Sequence, residues 1–186
     1  LLVGSPARHK NVPFALEALL KYTPATLRIA VVGLSQIGPY HAGSALPQDP
    51  RIEILPQVTD AQLRALYAGA AVMLSPSLVE GFGLFAAEAL HAESGPLVLS
   101  QRTALPEVGG DAALYFDPTD AAALGSAVNQ ALRPDTVEKL RTAARSQREK
   151  FRWRKAAREP GGEHELADAA LQRLARLQLL RRQDGQ

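Results

Sequence analysis

A chain of 186 residues with 46% hydrophobic and 22% charged residues can bury one sizeable core, and its composition argues against disorder. No apolar run approaches the roughly 18 residues needed to span a bilayer, and no signal-like segment opens the chain. With no cysteine there is neither a disulfide framework nor a thiolate metal site, which fits a reducing cytosol.

The net charge of +2 conceals an asymmetry. Residues 1–132 hold 7 Lys and Arg against 11 Asp and Glu, whereas residues 133–186 hold 14 against 8. Only Phe151 and Trp153 interrupt the basic end with aromatic rings. That fits a solvated helix surface better than a nucleic-acid groove, and leaves an anionic membrane surface open as a partner.

In chain order, short apolar runs predict strands at residues 1–4, 27–32, 51–55, 71–74, 96–99 and 113–116. Several are continuous rather than alternating, as in parallel strands buried on both faces. A run that starts at residue 1 without methionine suggests a piece of a longer chain. Between the strands, helical patterns cover 12–22, 61–68, 84–92 and 121–132. Asn11 with Pro13 signals the first helix and Thr59-Asp60 the second. Helices are also expected at 136–151, 153–159 and about 165–182, with a break at Pro160-Gly161-Gly162. Repeated strand–helix–strand units imply right-handed crossovers and a doubly wound parallel α/β sheet over residues 1–132. Residues 133–159 would close the same domain, and 160–186 would form a helical tail of unassigned role. In such sheets ligands bind beyond the carboxyl ends of the strands.

Neither G-x-G-x-x-G nor G-x-x-x-x-G-K-[ST] is present, which makes a nicotinamide enzyme or a P-loop ATPase unsuitable readings. The stretch "SLVEGFGLFAAEAL", residues 77–90, sets Glu80 and Glu88 eight positions apart around Gly81-Phe82-Gly83. The glycines allow a tight turn and close backbone approach, and a helix opening near Gly83–Leu84 offers free N–H groups to an anion. Two carboxylates beside an anion site make sense when they accept hydrogen bonds from neutral sugar hydroxyls. A diphosphate with a sugar at each end, a nucleotide-sugar, meets all of these requirements.

"SPSLVEGFGLFAAEAL" resembles the E-x7-E signature of retaining GT-B glycosyltransferases of family four. "VGSPARHKN", "TDAQLRALYAGAAVMLSPS", "ALPEVGGDAALYFDPTD" and "FRWRKAARE" resemble the family's flanking motifs in the same order. The resemblance covers residues 1–158, the C-terminal, donor-binding half of such enzymes. It implies that Glu88 binds the ribose hydroxyls and that Glu80 contacts the transferred sugar. Backbone N–H groups around Gly81, Phe82, Gly83 and Leu84 would hold phosphate or sugar, Lys10 would neutralise the departing diphosphate, and Gly4 would permit close approach. It also implies retention of anomeric configuration, no metal and no cofactor, a glycan, lipid or other hydroxyl acceptor, and a missing N-terminal domain.

The sequence departs from the family at Ser5, where arginine is common, and Arg8 is the candidate to reach the same phosphate. "HAESGP" is one residue longer than the usual turn after Glu88, and 160–186 match no known motif. His9 reads as loop filler, and His41, His91 and His164 show no metal spacing. Glu107 reads as a turn or cap residue. The loop at 34–44 is expected near the nucleotide, and the backbone at Leu55–Val58 is a candidate reader of the base edge. Two rivals remain: a degenerate nucleotide-binding or interaction module, and an epimerase of the same architecture.

Overall fold

The computed structural model describes residues 1–5, 7–34, 46–55 and 57–151. The helices expected at 153–159 and 165–182, most of the 34–44 loop and Pro56 lie outside the described residues.

Six strands are described: β1 Leu2–Val3, β2 Ile29–Val32, β3 Ile52–Leu55, β4 Met73–Ser75, β5 Leu97–Ser100 and β6 Ala113–Phe116. All pair in parallel, in the order β3-β2-β1-β4-β5-β6. The helices are α1 Val12–Tyr22, α2 Asp60–Gly69, α3 Leu84–Ala92, α4 Leu105–Gly109, α5 Ala121–Ala131 and α6 Pro134–Lys150. The architecture is the expected doubly wound, Rossmann-like α/β fold. Strand order reverses between β1 and β4, and such a switch point opens a crevice at the carboxyl ends of its strands.

Alternation along the strands explains why their sequences read as unbroken apolar runs. Leu2, Val31, Leu74 and Val98 face a core with α1 and α5, including Leu16, Leu19, Leu124 and Val128. Val32, Met73, Leu97 and Leu99 face the opposite core with α2, α3 and α6, including Leu63, Tyr67 and Leu90. Each fully buried large aliphatic contributes about 1.5–3 kcal/mol of transfer free energy, so both faces of every central strand are held apolar.

Local signals set several boundaries. Thr59 and Gln62 form a reciprocal capping box at α2. Asp120 Oδ1 accepts from the Ala123 N–H to open α5. The helix expected from residue 136 starts at Pro134, because proline suits the first helical position. Asn11 corrects its expectation as a side-chain cap. It is left-handed (φ 56°), and its amide bridges the Pro76 and Pro118 carbonyls at 3.2 and 2.9 Å instead. Asn11 thereby ties the loops after β1, β4 and β6 together.

Candidate active site

Two loops meet at the switch point. The loop after β1 forms a 3-10 turn over Arg8–Lys10 and then enters α1. The loop after β4 runs from Pro76 to Gly83 and enters α3. The Leu78 N–H donates to the His9 carbonyl at 2.7 Å, fastening one loop to the other. Lys10 Nζ then donates to Glu80 Oε1 at 2.6 Å, with the two side chains 24% and 14% exposed. The sequence-predicted cation and carboxylate, 70 residues apart in the chain, are in direct contact.

Glu80 is held on three sides. Ser77 Oγ donates to the same carboxylate oxygen at 2.7 Å, and Thr103 Oγ1 accepts from the Glu80 backbone N–H at 2.9 Å. Ser77 is itself buried, and its carbonyl accepts from Ser100 Oγ at 2.5 Å. Glu80 is therefore anchored to the β5 end as well as to β1.

Glu88 behaves differently. It lies on α3 among Ala86, Ala87, Ala89 and Leu90 and is only 6% exposed. An ordinary solvent-facing helix glutamate is thus excluded. Its Oε2 accepts from the hydroxyl of Tyr67, a fully buried residue of α2, at 2.8 Å. Burying a carboxylate is costly without hydrogen-bond donors, and Tyr67 supplies one.

Between these carboxylates Gly83 caps α3 in the left-handed region at φ +83°. A Cβ there would stand 3.0 Å from Leu105 Cδ2 in addition to the backbone strain. No side chain caps α3, and the Ala86 and Ala87 N–H groups bond the Gly83 carbonyl at 2.9 and 3.2 Å, so the donors an anion would use there are those of Leu84 and Phe85. Gly81, Phe82 and Leu84 are exposed around that opening, and the Phe82 ring meets Phe151 edge-on at 6.1 Å. A Cβ on Gly81 would meet nothing within 4 Å, and one on Gly4 would touch only the Lys10 stem at 3.9 Å. Neither glycine is demanded by the chain's own packing. Gly33 is: at φ +89° its Cβ would lie 2.7 Å from the Gly4 carbonyl oxygen.

Other expected residues fall as follows. Ser5 and Arg8 are exposed on the β1 loop, and His9 is exposed beside Lys10. Val58 packs its side chain against the core shared with Tyr67. Glu107 lies in the first turn of α4, and its carbonyl accepts from Gln147 Nε2 at 3.0 Å. The longer turn after α3 places Glu93 as a left-handed C-cap at φ 53°, with Arg148 Nη1 at 2.5 Å from its carboxylate. His91 Nε2 lies 3.1 Å from the Phe151 carbonyl, at the α3–α6 contact. Sequence reasoning missed Tyr67, Ser77, Thr103 and Gly33. Of these only Ser77, three residues before Glu80, carried a local signal.

A separate apolar cavity of about 400 Å³ lies among residues that lead into β2 and β4, lined by Leu2, Leu19, Ile29, Leu66, Leu74 and Val128. It is not part of the Lys10–Glu80 site. Among the described residues no helix is long and apolar enough to cross a membrane.

The strand order and the two meeting loops define a Rossmann-like domain whose topological switch point falls between β1 and β4. Residues 1–134 match the family described as glycosyl transferases group 1, and the chain belongs to that family. It is 41% identical over 103 residues to the O-antigen chain mannosyltransferase B of Escherichia coli, covering 55% of this chain and 27% of that protein. It is 34% identical over 153 residues to the MMP alpha-(1->4)-mannosyltransferase of Mycolicibacterium hassiacum, covering 78% and 33%. The chain thus spans about a third or less of the length of these relatives. Among solved structures, sucrose-phosphate synthase from Thermosynechococcus elongatus superposes with a TM-score of 0.67 at 23% identity, over 97% of this chain and 45% of that one. The Escherichia coli trehalose-6-phosphate structure bound with UDP-2-fluoro glucose gives 0.63 at 21% identity, over 81% and 39%. At such identities these superpositions establish the shared fold.

Proposed function

We propose that this chain is the donor-binding half of a retaining, metal-independent glycosyltransferase of family four. It would move a mannosyl group from a nucleotide diphosphate sugar to an acceptor hydroxyl. The single observation that carries the reading is the Lys10–Glu80 contact across the switch point, at the mouth of α3. Mannose as the sugar rests on the names of the relatives.

Glu88 would accept from the ribose hydroxyls, while the Tyr67 hydroxyl donates to its Oε2. The diphosphate would sit against the Leu84 and Phe85 N–H groups at the start of α3 and the Lys10 ammonium. Glu80 would then turn its carboxylate to the hydroxyls of the transferred sugar. During transfer, the bond from the anomeric carbon to the diphosphate oxygen would break, a bond to the acceptor oxygen would form, and the acceptor's hydroxyl proton would pass to the departing diphosphate. Negative charge grows on the leaving diphosphate, and a preorganised ammonium with fixed N–H dipoles stabilises it most where it grows most. Arg8, exposed on the same loop, is the candidate second cation where the family's arginine is replaced by Ser5. An N-terminal domain would supply the acceptor side of the cleft, and residues 133–159 would close this domain.

The test is calorimetric titration of the chain with UDP, GDP, ADP and TDP, repeated on Glu88→Ala. Base-selective binding that weakens at least about tenfold in the variant, the loss of one charge-assisted hydrogen bond or more, supports the reading. Binding unchanged by Glu88→Ala contradicts it. A folded chain that binds none of the four favours the degenerate-module reading.

A further inference from the structure

Among the described residues, three other than glycine have positive φ: Asn11, Glu93 and Thr103. Two are accounted for. Asparagine tolerates the left-handed region, and Asn11 gains two side-chain bonds there. Glu93 is a helix C-cap whose N–H bonds back to the Ala89 and Leu90 carbonyls. Thr103 has neither excuse. It is exposed, β-branched and held at φ 50°, a conformation that branched side chains resist.

The turn is closed by the Leu105 N–H on the Arg102 carbonyl at 3.3 Å, and the Thr103 side chain adds one bond to a different loop. Thr103 lies three residues beyond the end of β5, and its Oγ1 accepts from the Glu80 N–H at 2.9 Å. The partner is the backbone of the residue whose carboxylate Lys10 and Ser77 already engage. Strain of this kind persists where surrounding structure over-determines it, and it gathers at ligand sites. We infer that Thr103 is a positioning residue: its left-handed turn at the end of β5 clamps the Glu80 backbone, so that the Glu80 carboxylate is aimed at the transferred sugar. The inference rests on the reading that Glu80 contacts that sugar.

The relevant readout is the ratio of affinities for a nucleotide-sugar and its parent nucleotide, because the parent lacks the group that Glu80 would touch. The probes are GDP, UDP and their mannosyl derivatives, titrated into the 186-residue chain. Thr103→Val keeps the branch and the strain but deletes the acceptor, and should lower the ratio about fivefold, as for one lost hydrogen bond. Thr103→Ser keeps the acceptor and should stay within about twofold of wild type. Thr103→Gly deletes both strain and bond, so it should melt no lower than wild type yet show the low ratio of Thr103→Val. Glu80→Gln is the reference for full loss.

If Glu80→Gln collapses the ratio while Thr103→Val and Thr103→Gly retain it, the positioning role is overturned and the Glu80 reading stands. If Glu80→Gln leaves the ratio unchanged, or wild type binds neither sugar nucleotide, both are overturned.

Discussion

Lys10 Nζ and Glu80 Oε1 are 2.6 Å apart, one residue on the loop after β1 and the other on the loop after β4. The pair spans the point at which strand order reverses, so the two halves of the sheet are joined electrostatically where a ligand would enter. A diphosphate arriving there competes with Glu80 for the ammonium. Replacing Lys10 with methionine should weaken a nucleoside diphosphate by about 10–100-fold, the worth of one charge-assisted contact, and the corresponding monophosphate less. Parallel titrations of GDP and GMP, or UDP and UMP, measure the difference. Equal losses for both would show that Lys10 does not meet the diphosphate.

Tyr67 and Glu88 make the second testable pair. Tyr67→Phe preserves the buried ring and its tilted contact with Phe85 while removing the hydroxyl that serves Glu88 Oε2. A buried carboxylate oxygen deprived of that donor should cost about 1–3 kcal/mol. For a chain of this size that lowers the melting temperature by roughly 2–10 °C, readable by calorimetry. An unchanged melting temperature would mean that the bond contributes nothing net.

Asn11 gives a prediction about backbone and side chain together. Asn11→Ala loses both bonds to the Pro76 and Pro118 carbonyls and leaves alanine in the left-handed region. Asn11→Gly loses the same bonds without that steric penalty. Alanine should therefore be the more destabilising replacement, by about 1 kcal/mol in urea unfolding. The opposite order would mean that the left-handed geometry is not retained.

Tyr115 supplies a pH dependence. Burial chiefly, with the Asp111 charge added, pushes its phenol up to about 12 from an ordinary value of 10.0. Its hydroxyl donates to the Gly110 carbonyl at 2.7 Å and lies 3.3 Å from that of Pro106, which holds the α4 corner. Because the folded state binds this proton more tightly than the unfolded state, the contribution is complete below pH 10. It is lost as pH rises through about 12. Unfolding free energies of wild type and Tyr115→Phe should converge over that interval, and a constant gap would contradict the assignment.

Much of this was legible in the sequence because it rests on local patterns. The residues of α1 and α3 are those expected from apolar spacing, and β6 coincides with its predicted run. The glycines and paired glutamates of residues 80–88 marked the loop after β4, whereas Lys10 was named only through the resemblance to a family. What stayed hidden depends on tertiary placement. The five residues of α4 are too few for a helical period to show. Asn11 carries the residue type of a cap, but its partners come from loops 65 and 107 positions away. Nothing near Thr103 announces a left-handed turn, and only the fold brings it to Glu80. Burial of Glu88 did have a signal, since α3 is apolar on nearly every other position and leaves little surface for a solvated carboxylate.

The most direct measurement is a crystal structure of the chain with the nucleoside diphosphate that binds it best. The account predicts ribose hydroxyls on Glu88, and the diphosphate between the α3 N-terminus and Lys10, with the Lys10–Glu80 contact opened. Nucleotide density elsewhere, such as in the apolar cavity beside Leu19 and Val128, would contradict it.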